Sequence, residues 1–152
     1  WFRRVVEANG VGEVLPAAET WRRVRRHLDL GWDQAQGGGL LLAVDAQGEV
    51  AAEGWPLPDL KLWWPHTEVQ VAALMAWQET GESDWIDRYQ EMWRFAAAHF
   101  IDWEHGEWRQ KLNRDLTPFS GLVALPVKDP FHLPRSLIMQ IELLESGSIP
   151  RP

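Results

Sequence analysis

The chain has 152 residues, a formal net charge of −7 at pH 7 and no cysteine. Nucleic-acid binding requires a basic surface, so we expect no nucleic-acid partner for this acidic chain, and the lack of thiols excludes disulfides and cysteine nucleophiles. No apolar run reaches the roughly 18 residues of a membrane span, and no signal-peptide pattern opens the sequence. We therefore expect no membrane partner and a cytoplasmic location.

Two stretches of the sequence resemble each other at a separation of 69 residues. Residues 33–38 are echoed by residues 102–107, and residues 64–66 by residues 132–135, so that Asp, Gly and Pro recur. Self-similarity over this length indicates a repeated structural unit, here a pair of helices joined by a hairpin.

The helices of the two units differ in their apolar pattern. Residues 17–30 and 83–100 carry apolar side chains on one side only, which predicts outer helices. Residues 69–77 and 134–145 are predicted to be inner helices packed on both sides, because the second of them is apolar almost all round. A stub at residues 1–8 is predicted to be a fifth helix.

A hairpin is predicted between the helices of each unit. The three glycines at positions 37–39 mark the first hairpin. The second is predicted within residues 102–117, where a glycine-containing turn is followed by the alternating residues Trp108, Gln110 and Leu112.

The N-termini of the inner helices carry the candidate chemical groups. Proline suits the first helical turn, so Trp64, before Pro65, and His132, just before Leu133 and Pro134, are expected near helix N-termini at one end of the fold. Glu68 lies one turn after Trp64, which places a carboxylate beside an aromatic face, as sugar sites do.

Each of these residues also has a structural interpretation. The chain contains 11 tryptophans, and core filling is the default explanation for any one of them, with sugar stacking as the alternative. An imidazole is a suitable general base at neutral pH, so His132 is a candidate base, and packing is its alternative role. His66 lies beside the tryptophan pair and is equally compatible with either role.

The sequence contains no recognisable metal or cofactor motif. No pair of histidines has the spacing of metal ligands, and the glycines at 37–39 lack the residues of a phosphate-binding loop. We therefore expect neither a metal nor a cofactor.

Three segments resemble the N-acylglucosamine 2-epimerase family, which includes cellobiose 2-epimerases and mannose isomerases. They are Lys-Leu-Trp-Trp-Pro-His-Thr-Glu at 61–68, Gly-Glu-Trp at 106–108 and Phe-His-Leu-Pro-Arg at 131–135. The resemblance implies an all-α fold, a partial (α/α)6 barrel with short β-hairpins between helix pairs. Residues 1–152 would then be the C-terminal part of a single barrel domain whose upstream part is missing, in line with an opening inside an apparent helix.

The resemblance also implies roles for individual residues. His132 matches one of two histidines that move the proton at sugar C2, and Trp64 and Glu68 match a substrate-contacting pair. Trp1 resembles the last residue of a His-x-x-Glu-x-x-Trp motif. The other substrate-binding candidates belong to the same segments and are Trp63, His66 and Arg135. The second histidine, its glutamate and an arginine are absent, so we expect this chain alone to be inactive.

The function implied is an isomerase or 2-epimerase acting on a small sugar through an enediolate. Residues 127–129 lack the tryptophan that cellobiose epimerases tend to carry, which favours aldose–ketose isomerisation of a mannose-type monosaccharide. The alternatives are an N-acylglucosamine or cellobiose 2-epimerase, a non-catalytic sugar-binding module of the same fold, and a glycoside hydrolase, for which Glu68 is the only well-placed carboxylate. The sequence leaves open whether the protein is a homo-oligomer.

Overall fold

The computed structural model describes residues 10, 16–51, 53–120 and 131–146. Within these ranges the chain is mostly helical, with four α-helices: α1 (Ala17–Gly31), α2 (Trp63–Thr80), α3 (Asp84–His99) and α4 (His132–Glu145). This confirms the expectation of a helical fold with short strands, and the stub predicted at residues 1–8 lies outside the described residues. None of the described helices has the length and apolar character needed to cross a membrane.

Helix α2 is the central element of the fold. It packs against both α3 and α4, and the side chains of Ala73, Leu74 and Ala76 have no solvent exposure. The helix ends where Gly81 adopts a left-handed conformation at φ 71°, which suits a residue without a Cβ atom. The prediction of a helix packed on both sides is therefore confirmed for α2.

Helices α1 and α3 each bury one face. Trp21 and Leu28 of α1 and Trp85 and Met92 of α3 join one hydrophobic core with α2. The opposite face of α1 carries arginines, and the Arg22 side chain is 69% exposed. The one-sided apolar pattern of these segments therefore corresponds to one-sided burial.

Helix α4 differs from its prediction. Its fully or nearly fully buried residues are the polar Ser136 and Gln140, whereas Ile138 and Ile141 are 57% and 53% exposed. The expected packing on both sides is wrong for the described residues, because α4 contacts α2 on one side and its outward apolar face remains in solvent.

The hairpin predicted at residues 102–117 forms over the first half of that segment only. Strand β2 (Ile101–Asp102) pairs with β3 (Glu107–Trp108) in a short antiparallel hairpin. Strand β4 (Lys111–Leu112) instead pairs with β1 (Lys61–Leu62), directly before α2. The hairpin is therefore confirmed for the first half of the segment, with its glycine-containing turn, whereas the second half pairs with a strand about 50 residues earlier in the chain.

The glycines at 37–39 form the turn of the first connection. A bridge between Trp32 and Leu40 closes a loop that contains a short 3-10 turn at Gln34–Gln36. All three glycines have positive φ, and a Cβ atom on Gly39 would lie 2.3 Å from Cζ of Phe95. Only glycine satisfies both the backbone and the packing at position 39.

Gly39→Ala should therefore destabilise the protein far more than Gly106→Ala. Both residues have positive φ, but a Cβ atom on Gly106 would meet nothing within 4 Å. Backbone strain alone costs about 1–2 kcal/mol, and overpacking adds about 1–3 kcal/mol at position 39. Urea unfolding of the two variants measures the difference, and equal losses would contradict the packing described for Gly39.

Candidate active site

The N-termini of α2 and α4 meet at one end of the molecule. α2 begins at Trp63 and α4 at His132, and Pro65 and Pro134 are each the third residue of their helix. A proline is tolerated there because the amide hydrogen it lacks has no partner within the helix. Each proline therefore marks the first turn of its helix, and the side chains next to it lie at this end of the molecule.

The structure brings Trp64, Glu68 and His132 into direct contact. Nδ1 of His132 lies 2.9 Å from Oε1 of Glu68. The indole of Trp64 stacks on the imidazole with ring centroids 5.2 Å apart and an interplanar angle of 28°. Phe131 meets the same imidazole edge-on, with centroids 5.4 Å apart. A hydrogen bond to Glu68 and the rings of Trp64 and Phe131 thus orient the imidazole.

Arg135 binds the other oxygen of the same carboxylate. Its guanidinium donates a hydrogen bond to Oε2 of Glu68 and lies over the ring of Phe131, 5.3 Å from the centroid. Arg135 follows His132 by one helical turn, so both groups approach Glu68 from α4. The structure therefore places Arg135 as a partner of Glu68.

These contacts fix the charge of Glu68. Burial opposes ionisation of this carboxyl, but the hydrogen bonds from Arg135 and His132 outweigh it and hold its pKa below the ordinary value. A carboxylate can only accept a hydrogen bond, so Nδ1 of His132 carries the proton in this pair. In the neutral ring the lone pair then lies on Nε2, which makes Nε2 the basic nitrogen.

A carboxylate that orients an imidazole in this way is a general arrangement for moving protons. The carboxylate selects the tautomer and stabilises the imidazolium that forms when Nε2 accepts a proton. The side chains of His132 and Glu68 are 29% and 30% exposed, so the pair is accessible to a small molecule. The cluster can therefore act as a general base toward a group in contact with it.

Trp63 and His66 lie elsewhere. Trp63 is 5% exposed and packs in a second hydrophobic core with Phe95, Phe100 and Leu112. His66 has no solvent exposure, and its ring stacks on Phe95 with centroids 5.1 Å apart. The structure places neither residue in the cluster around His132, and Trp1 lies outside the described residues.

Both nitrogens of His66 have backbone partners. Nδ1 donates to the carbonyl of Leu62 at 2.6 Å, and Nε2 accepts from the amide of Leu40 at 2.9 Å. Burial lowers the pKa of this imidazole to about 3, so the ring is neutral in the folded protein at neutral pH. His66 ties the loop after α1 to the first turn of α2, and we leave it out of the proposed site together with Trp63.

The burial of His66 predicts a loss of stability in acid. The unfolded chain binds a proton on His66 as pH falls below about 6.5, whereas the folded protein does so only near a pKa of about 3. The free energy of unfolding should therefore fall between these values, by at most about 1.4 kcal/mol per pH unit from this group.

Chemical denaturation at several pH values tests this expectation. His66→Gln replaces the ring with a neutral amide and should flatten the pH dependence, whereas His27→Gln, at an exposed position of α1, should leave it unchanged. An identical slope in wild type and His66→Gln would contradict the assignment of His66 as a neutral buried residue.

A second polar cluster lies close to the start of α2, and sequence reasoning missed it. Asp33 accepts two hydrogen bonds from Arg114, one from Nε at 2.9 Å and one from Nη2 at 3.1 Å. Its carboxylate also forms an ion pair with Nζ of Lys61 at 3.3 Å. Lys61 has no solvent exposure and Asp33 is 4% exposed. We call Asp33, Lys61 and Arg114 the Asp33 triad.

The charges of the Asp33 triad follow from its contacts. Burial opposes ionisation of Asp33, but hydrogen bonds from Arg114 and Lys61 outweigh it and lower the pKa of the carboxyl. Burial also lowers the pKa of Lys61, and Asp33 partly offsets that effect. Nowhere in the described ranges do three His, Asp or Glu side chains group in a way that could hold a metal ion.

Comparison with known proteins identifies the family. A model of the family described as N-acylglucosamine 2-epimerase (GlcNAc 2-epimerase) matches residues 5–133. The chain belongs to the N-acylglucosamine 2-epimerase family. The match includes Trp64, Glu68 and His132, and it ends two residues before Arg135.

Individual members of the family resemble this chain over much of its length. The N-acylglucosamine 2-epimerase of Bos taurus is 38% identical over 76% of this chain and 27% of its own length. The D-mannose isomerase of Pseudomonas cannabina pv. alisalensis is 36% identical over 58% of this chain and 20% of its own length. The chain thus spans about a quarter or less of the length of these curated relatives.

A solved structure shares the fold of this epimerase-family chain. The crystal structure of a D-mannose isomerase superposes with a TM-score of 0.65 at 22% identity and covers 80% of this chain and 30% of that one. The arrangement of helices described above is therefore one that a sugar isomerase also contains.

Proposed function

We propose that this chain carries part of the active site of a sugar isomerase or 2-epimerase, with His132 as the group that transfers the proton at C2. The observation that carries the proposal is the 2.9 Å contact between Nδ1 of His132 and Glu68, with Trp64 stacked on the same ring. Glu68 and Arg135 orient the imidazole, and Trp64 supplies the aromatic surface beside it.

The reaction follows from the acidity of a carbon next to a carbonyl. Nε2 of His132 takes the proton from C2 of the open-chain sugar, and the electron pair of the C–H bond moves through C2 and C1 onto the C1 oxygen, which gives an enediolate. Return of the proton to C1, with the O2 proton moving to O1, gives the ketose. Return to the opposite face of C2 gives the epimer and requires a second proton donor.

Aldose–ketose isomerisation of a mannose-type sugar is the reaction that we favour. This reaction needs only one group, which takes the proton and returns it on the same face of the sugar. A D-mannose isomerase is found both among the sequence relatives and among the solved structures that share the fold. The second candidate is 2-epimerisation of an N-acylglucosamine. It is favoured by the bovine relative, which matches a larger share of this chain at 38% identity.

The charge state of Glu68 argues against the role of general acid in a glycoside hydrolase. The general acid of such an enzyme needs a carboxyl whose pKa is raised so that it stays protonated. Arg135 and His132 instead lower the pKa of Glu68. The same hydrogen bonds suit a carboxylate that orients a base.

Replacing His132 in the full-length gene product tests the proposal. His132→Asn keeps a hydrogen-bond donor near the Nδ1 position, so the contact with Glu68 persists while the basic Nε2 is lost. We expect kcat to fall by about 10²-fold or more, as for loss of a general base, and substrate affinity to stay within a few-fold. His105→Asn, at an exposed turn, is the matched control and should retain activity.

Exchange of the C2 proton in D₂O, followed by NMR, is the direct measurement. With mannose and an N-acylglucosamine as substrates, the spectra also separate a ketose product from an epimer. Wild-type exchange in His132→Asn would show that this histidine is not the proton-transfer group. We expect the 152-residue chain on its own to be inactive, so both variants are compared in the full-length protein.

A further inference from the structure

The Asp33 triad joins three separate segments at the end of the molecule that carries the candidate site. Asp33 follows α1, Lys61 lies in β1 directly before α2, and Arg114 lies in the turn after β4. Within the described part of the chain, the hydrogen bonds and ion pairs of these three residues do not involve Trp64, Glu68 or His132. A role at the site must therefore be indirect.

The ammonium of Lys61 is enclosed by acceptors from two loops. Nζ pairs with Asp33 and donates to the backbone carbonyls of Gln36 at 3.3 Å and Arg114 at 2.9 Å. The stem of the lysine packs against Gly39, where an added Cβ atom would lie 3.0 Å from Cδ of Lys61. Lys61 thus has one well-defined position in the fold.

That position determines how the chain enters α2. Lys61 pairs with Leu112 across the β1–β4 ladder, and the amide of Trp63 donates to the carbonyl of Gln110 at 3.2 Å. Trp64 follows immediately, and its ring stacks on His132. The backbone before Trp64 is therefore held by the ladder on one side and by the buried lysine on the other.

The chemistry of the triad suits orientation better than stability. A buried ion pair is often no more stabilising than apolar residues of similar volume, and its best-attested use is to specify one arrangement among several. The two parallel hydrogen bonds from Arg114 to Asp33 fix direction as well as distance. Such a contact holds two loops in one register.

We infer that Asp33, Lys61 and Arg114 are positioning residues, which hold Trp64 where its ring stacks on His132 and faces the sugar. This inference rests on the proposed function for the part that concerns substrate, and on the structure alone for the part that concerns the orientation of Trp64. Loss of the triad should disturb the aromatic surface and leave the hydrogen bond between Glu68 and His132 in place.

Lys61→Met is the test variant, because it removes the ammonium, keeps the stem and leaves Asp33 paired with Arg114. Lys111→Met is the matched control. Lys111 lies in the strand paired with β1, but its ammonium lies over the ring of Phe119 at 5.7 Å. Both variants remove one lysine from the same strand pair.

We expect Lys61→Met to raise KM for the sugar by about 10-fold with kcat within about 3-fold, since a displaced aromatic surface weakens binding and leaves the base intact. In the NMR spectrum the ring protons of His132 should move, because the stacked indole that shields them is displaced. Lys111→Met should change neither quantity. A folded Lys61→Met protein with wild-type KM and wild-type His132 shifts would overturn the inference.

Arg114→Lys serves if Lys61→Met does not fold. The Arg114 side chain is 40% exposed, and lysine keeps its charge but loses the paired hydrogen bonds. We expect the same rise in KM and the same movement of the His132 ring protons, both smaller than in Lys61→Met. Wild-type values of both quantities would overturn the inference. If His132→Asn leaves C2 exchange intact, the proposed function fails, and the His132 shifts still decide whether the triad orients Trp64.

Discussion

The hydrogen bond between Glu68 and His132 is the contact on which the candidate site depends. It joins α2 to α4 across 64 residues of sequence, and it requires both helices to begin at the same end of the molecule. Trp64 and Phe131 then enclose the imidazole, and Arg135 holds the second carboxylate oxygen. If the helices shifted by one turn, the contacts of Glu68 and Trp64 with α4 would not form.

Much of the fold could be predicted from apolar periodicity, and the exceptions have physical reasons. The one-sided pattern identified α1 and α3 because burial of a helix face is a local property of the sequence, and the order of elements in the repeat identified α2. The alternation at Trp108, Gln110 and Leu112 looked like one hairpin, since a period of two does not reveal the partner. That partner is β1, which precedes α2. Exposed isoleucines on α4 likewise cannot be foreseen from their apolar character.

The site was predictable where proline marks the helix starts. The spacing of Trp64, Glu68 and His132 around two prolines anticipated that they meet at one end. It did not separate Trp63 from Trp64, because neighbouring residues on a helix point about 100° apart, and only packing decides which of them is buried. Arg135 entered as a substrate contact, and the structure shows it bound to Glu68. The Asp33 triad left no local signal, since its members are far apart in sequence.

The position of the proton on His132 is the most direct test of the pairing between this imidazole and Glu68. Long-range ¹H–¹⁵N NMR correlations, recorded on this chain at a pH where the imidazole is neutral, distinguish the two tautomers, and His132→Asn assigns the signals. We expect a protonated Nδ1 and an unprotonated Nε2 in the wild type. This preference should weaken in Glu68→Gln, because a neutral amide can also donate a hydrogen bond to Nδ1. A wild-type ring that is protonated on Nε2 and unprotonated on Nδ1 would contradict this pairing.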